Sequence, residues 1–88
     1  MTEPPRIEFP CAYPIKVFVE GDSEDVVAEV LNTVQAHAPD FDISSARFRP
    51  SRSGSFLSVS VEITATGEPQ LRALHQALMA HERVRLVL

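Results

Sequence analysis

The chain has a single cysteine, Cys11, so an intramolecular disulfide is excluded, and so is a paired C-x-x-C copper site. No apolar run approaches the ~20 residues that a membrane-spanning helix needs. The opening stretch MTEPPRIEFP lacks the continuous apolar core of a secretion signal. Basic residues are outnumbered, Lys+Arg 8 against Asp+Glu 12, and the formal charge of -4 works against general attraction to nucleic acid phosphates or anionic membranes. These absences make the cytoplasm the expected setting, with no membrane partner.

What is present is ordinary for a globular domain: 88 residues, 44% hydrophobic and 23% charged, enough for one two-layer core and too little for two. The stretch SGSFLSVSVEITAT at 53–66 organises the rest. Leu57, Val59, Val61, Ile63 and Ala65 alternate with Ser58, Ser60, Glu62, Thr64 and Thr66. That period of two predicts a long inner strand with one buried and one wetter face.

Residues 1–12 hold Pro4, Pro5 and Pro10, which remove backbone donors and favour extended geometry, so a loosely docked arm is expected, pinned by Ile7 and Phe9. The domain proper is expected over 13–88. Tyr13–Glu20 alternates Ile15, Val17 and Val19 against Lys16, Phe18 and Glu20 as a first strand. Gly21 permits a turn, Asp22 or Ser23 can cap a helix, and Glu24 and Asp25 suit the positive end of its dipole. That helix is predicted over 23–37, with Val26, Val27, Val30, Leu31 and Val34 as its apolar stripe. Pro39 ends it.

After a connection over 40–45, Ala46–Pro50 reads as a short second strand, which Pro50 confines to the border of a sheet. Ser51–Ser55, with Gly54, makes the hairpin into the long strand. A second helix follows over 68–81 on Leu71, Leu74 and Leu78, with Pro69 tolerated in its first turn. VRLVL at 84–88 closes the chain as a strand, with Val84, Leu86 and Leu88 expected on the buried face.

The resulting order, β-α-β-β-α-β, is the ferredoxin-like two-layer α+β arrangement: a four-stranded antiparallel sheet with the first and third strands central and both helices on one face. The other face is left open. It is expected to carry Lys16, Phe18 and Glu20 from the first strand, Arg47 and Arg49 from the second, Ser58, Ser60, Glu62 and Thr64 from the third, and Arg85 and Val87 from the last.

HAP at 37–39, PSRSGSFLSVSVEITAT at 50–66, VRLVL at 84–88, and EFP at 8–10 followed by Lys16-Val17 resemble the YbeD-like family of small uncharacterised bacterial proteins. The resemblance implies a ferredoxin-like domain similar to the ACT domains that sense amino acids. It also implies a non-enzymatic regulatory role connected with lipoate metabolism. In ACT domains a small ligand sits near the turn after the first strand, which here is Gly21 and Asp22. The Arg/Lys-Pro-Gly run common at that turn is absent from Val19–Asp25.

The chemistry-bearing residues give no catalytic set. Arg47, Arg49 and Arg52, among Ser51, Ser53 and Ser55, form the densest group able to hold an anion. On an edge strand the same arginines serve against edge-to-edge aggregation. His75 and His81 are six apart, off ligand spacing, and His37 is placed to meet helix-end carbonyls, so no metal and no cofactor are expected. Cys11 has no base beside it in sequence and reads as an incidental thiol. GDSED at 21–25 is acidic where a phosphate loop of the acylphosphatase type must attract phosphate. An RNA-recognition sheet needs stacking rings on its central strands, and Phe18 alone does not make a platform. The expected function is a non-enzymatic regulatory or interaction domain, acting through a protein partner, a second copy or a small ligand at Gly21, Asp22, Arg47 or Arg49. An accessory enzyme subunit completed by association is the alternative.

Overall fold

The computed structural model describes residues 8–21 and 24–88. Within them, strand β1 spans Cys11–Glu20, helix α1 Glu24–His37, strand β2 Arg47–Pro50, strand β3 Phe56–Ala65, helix α2 Glu68–Met79 and strand β4 Val84–Val87. The strands form one antiparallel sheet in the order β2-β3-β1-β4, with β1 and β3 central as the alternation predicts. Ile15, Val17 and Val19 of β1 and Leu57, Val59, Val61 and Ile63 of β3 line one face. Over them lie Val26, Val30, Leu31 and Val34 of α1 and Leu74 and Leu78 of α2. This is the ferredoxin-like α+β fold.

β1 begins at Cys11, so Cys11 and Ala12, expected in the arm, pair with Ala65 and Thr64 of β3. Pro14 lies inside the strand without breaking the ladder. Lys16 exchanges both backbone hydrogen bonds with Leu88, so the even-numbered positions of β1 point their backbone groups toward β4. β4 pairs with β1 only at Val17, Phe18 and Val19, and Lys16 is bonded to the residue just past its end. Among the described residues no strand pairs with that side of β1 at Pro14, and the missing donor costs no bond there. Ile7, and Asp22 and Ser23 as helix caps, lie outside the described residues.

The facing of β4 differs from the expectation. Val17 pairs with Val87 and Phe18 with Leu86, but Val19 pairs with Val84, leaving Arg85 as the extra residue of a bulge. The bulge inverts the alternation. Val84 and Val87 therefore pack on the core, and Leu86 is turned to the open face in place of Val87.

Two further core residues come from the connection after α1. Ala38 and Phe41 are buried, and the Phe41 amide donates to the Ala38 carbonyl at 2.9 Å, which folds the chain back under the helix end. Asp42 then caps a single turn over Ile43–Ser45, accepting from the Ser44 amide at 3.0 Å and the Ser44 hydroxyl at 2.6 Å. These bonds hold its carboxyl below the ordinary value. His37 meets the carbonyl of Thr33 at 3.0 Å, the helix-end role its position suggests. α2 stops two residues short of His81, which instead pairs through Nε2 with Glu29 of α1.

Candidate functional site

Both helices cover the same face of the sheet, so the opposite face carries whatever the odd–even alternation turns outward. On β1 this is Lys16, Phe18 and Glu20; on β3 it is Phe56, Ser58, Ser60, Glu62 and Thr64; on β2 it is Arg47 and Arg49. Phe18 is paired with Ser58, and Phe56, paired with Glu20, lies two residues before Ser58 on the same face of β3. Two such diagonal positions are roughly 7–8 Å apart, within reach of aromatic side chains. Phe18 and Phe56 in fact line one shallow depression, together with Lys16, Arg49, Pro50, Ser51 and Ser58. Phe56 is 43% exposed, a large apolar side chain held in water on a central strand.

The electrostatics of this face oppose those of the chain as a whole. Glu20 is engaged by Arg85, whose Nε donates to it at 2.8 Å, so that pair is locally neutral. Among the described residues, Lys16, Arg47 and Arg49 form no salt bridge. Set against Glu62 among the described residues, Lys16, Arg47 and Arg49 leave the open face net positive, on a protein of net charge -4. The site thus offers two phenyl rings flanked by Lys16 and Arg49.

The residues singled out from sequence do not come together. Arg49 lines the depression with Phe18 and Phe56, whereas Arg47 lines a separate one with Pro14, Ser45, Ser60 and Glu62. Gly21 lines neither; it turns the chain at φ +83 and donates its amide to Ser55 at 2.8 Å, a backbone position that favours glycine without any ligand. Asp22 lies outside the described residues. The serine hydroxyls of the hairpin are engaged with one another and with the backbone. Ser51 Oγ accepts from the Phe56 amide at 3.1 Å, and Ser53 Oγ donates to Ser55 Oγ at 3.0 Å. Their work is to shape the turn, which leaves the arginines as the anion-holding groups.

Phe56 is the residue that sequence reasoning missed. It sits at the start of β3 directly after the hairpin, before any alternating partner marks its face. Its parity with Ser58 and Ser60 was the available signal.

On the core side a partly open cleft lies between α2 and the sheet, lined by Tyr13, Ile15, Leu71, Leu74, His75, Leu78, Val87 and Leu88. Its volume of about 80 Å³ is well below the ~300–1,000 Å³ of pockets that enclose small molecules. Among the described residues, no cluster of three His, Cys, Asp or Glu could hold a metal ion, and no helix is long and apolar enough to cross a membrane.

The sequence pattern of the family described as "Protein of unknown function (DUF493)" matches residues 4–88. The chain belongs to this family. Its DUF493 relatives include a UPF0250 protein of Azotobacter vinelandii, 55% identical over 96% of this chain and 91% of that one. Another, of Nitrosomonas europaea, is 41% identical over the full length of both. The YbeD-like resemblance seen in the motifs is thus the family relationship. Among solved structures, the solution structure of protein HP0495 from H. pylori superimposes with a TM-score of 0.73, covering 99% of this chain and 90% of that one at 23% identity. That likeness shows the fold shared by this DUF493 protein and HP0495.

Proposed function

We propose that the protein is a non-enzymatic regulatory or interaction domain whose working surface is the open face of its sheet. One observation carries this reading: half-buried Phe18 and exposed Phe56 stand together on the two central strands beside Lys16 and Arg49, on the face turned away from the helices. Exposed aromatic side chains on rigid strands are what binding surfaces are built from, because they add contact area with little loss of side-chain freedom. The cleft under α2, about 80 Å³, is small for a metabolite, and the larger depressions, such as those lined by Arg47 and by Phe48, lie open on the surface, which favours a macromolecular partner over a sensed small ligand. Lipoate metabolism is the process to which the family resemblance attaches this regulatory role.

The test is affinity capture from the native cell extract with the wild-type chain and with Phe56→Ala in parallel. Retention of a specific partner by the wild type and its loss from the variant, with both equally folded, supports the reading. Partners that are retained equally by both sink it.

A further inference from the structure

The two edges of the sheet are poorly suited to receive an added strand. β2 is four residues long, carries Arg47 and Arg49 and ends in Pro50; β4 is four residues long and bulged at Arg85. Short, charged, bulged edges resist backbone pairing. The open face between them has the opposite character, with Phe18 half-buried, Phe56 and Leu86 exposed, and Lys16 and Arg49 flanking the rings.

Resting on the reading of this face as a binding surface, we propose that its occupant is a short acidic segment of a partner protein. An aromatic or aliphatic side chain of that segment seats over Phe18 and Phe56, and its carboxylates meet Lys16 and Arg49. Charge complementarity selects the sign of the partner: Lys16 and Arg49 form no salt bridge among the described residues. The net charge of -4 selects its extent. A long polyanion such as single-stranded RNA extends beyond this area into the field of a chain that is acidic overall, which opposes it. A short peptide needs only the positive area and avoids the rest. Arg49 supplies a planar fork able to hold a carboxylate by two hydrogen bonds.

The experiment is selection of short peptides from a random displayed library against the full chain, then titration of the selected peptides by fluorescence anisotropy. Expected are sequences rich in Asp and Glu around a Phe, Tyr or Leu, with affinity lowered about tenfold by Phe56→Ala or by Arg49→Glu and weakened by added salt. Both positions are exposed, and unchanged melting curves of the variants establish that the fold is intact. Selected peptides that are neutral or basic, or indifferent to both substitutions, overturn the proposal. So does an unenriched library, or an oligouridylate that displaces the peptide from this face. If extract capture depends on Phe56 while the library yields no acidic peptide, the acidic occupant is wrong and the binding face stands. If capture itself is indifferent to Phe56, the binding face falls as well.

Discussion

Gln70 of α2 donates through Nε2 to the carbonyl of His37 at the end of α1, at 2.8 Å, joining residues 33 positions apart. Its Oε1 meanwhile accepts from the Thr66 amide at 2.7 Å, so one side chain caps the start of α2 and the end of α1 together. Gly67, the residue before α2, has no side chain with which to cap it. Gln70→Ala removes both bonds and leaves helix-end groups without a partner. The expected loss is about 1–2 kcal/mol. Urea unfolding checks this, as a lower midpoint with unchanged slope.

Val59 and Ser60 are neighbours on β3 with opposite fates, Val59 fully buried against the helices and Ser60 on the open face. Val59→Asp places a carboxylate in the core with no cation to meet it, at a cost comparable to the whole stability of a small domain. It is expected to abolish the cooperative melt. Ser60→Asp, one residue along, is expected to leave the melt within about 0.5 kcal/mol of wild type. Circular dichroism melts of the two variants decide whether the strand faces are as described.

The same alternation explains how much of the fold was readable from the chain. β3 keeps strict period two over its whole length, so Leu57 through Ala65 declare both the strand and its faces. VRLVL has one polar position, Arg85, so its faces rest on parity alone, and there parity misleads. The bulge that turns Leu86 outward and Val87 inward arises from pairing with β1, which no pattern within β4 encodes. Phe41 and Ala38 enter the core from a stretch with no periodicity, drawn in by a single backbone turn. The site suffered from the same limit. Arg47 and Arg49 look equivalent in sequence, but only the register across β3 sets Arg49 beside Phe18 and Phe56.

Gly21 offers a direct contrast between a ligand-binding and a conformational role. Its φ is +83, while a Cβ there would meet nothing nearer than Arg83 Nη1 at 3.8 Å, an ordinary contact. The cost of Gly21→Ala therefore comes from the backbone conformation, roughly 1–2 kcal/mol. Gly54→Ala, at φ +74 in the hairpin with open space around it, is expected to cost a similar amount. Denaturant melts of both variants test this. An unchanged stability for Gly21→Ala would remove the conformational explanation of that glycine.

Asp42 carries the pH dependence of the turn before β2. Bonds from Ser44 lower its folded-state pKa from the ordinary 3.8, so the ionised form favours the folded turn. The sign follows: the stabilisation is present above the unfolded-state value and is lost as pH falls through the folded-state value. An NMR titration of the Ser44 amide is expected to show a midpoint below 3.8, and Asp42→Asn is expected to abolish that transition. A midpoint at or above 3.8 would show that the Ser44 bonds do not hold the carboxylate.

The arginines of β2 permit a separation of edge protection from recognition. Both are exposed and both lie on the open face, but Arg49 shares the depression of Phe18 and Phe56 while Arg47 shares that of Glu62 and Ser60. If their task is to keep the edge from pairing, the double substitution Arg47→Gln, Arg49→Gln lowers solubility, and each single change contributes about equally. If Arg49 holds a partner, Arg49→Gln weakens capture by about tenfold, equivalent to ~1.4 kcal/mol, while Arg47→Gln changes it little and solubility is unaltered. Light scattering and capture on the same four proteins separate the two. The unequal surroundings of the arginines favour the second outcome, because edge protection depends on charge anywhere along β2, whereas recognition depends on charge next to the rings.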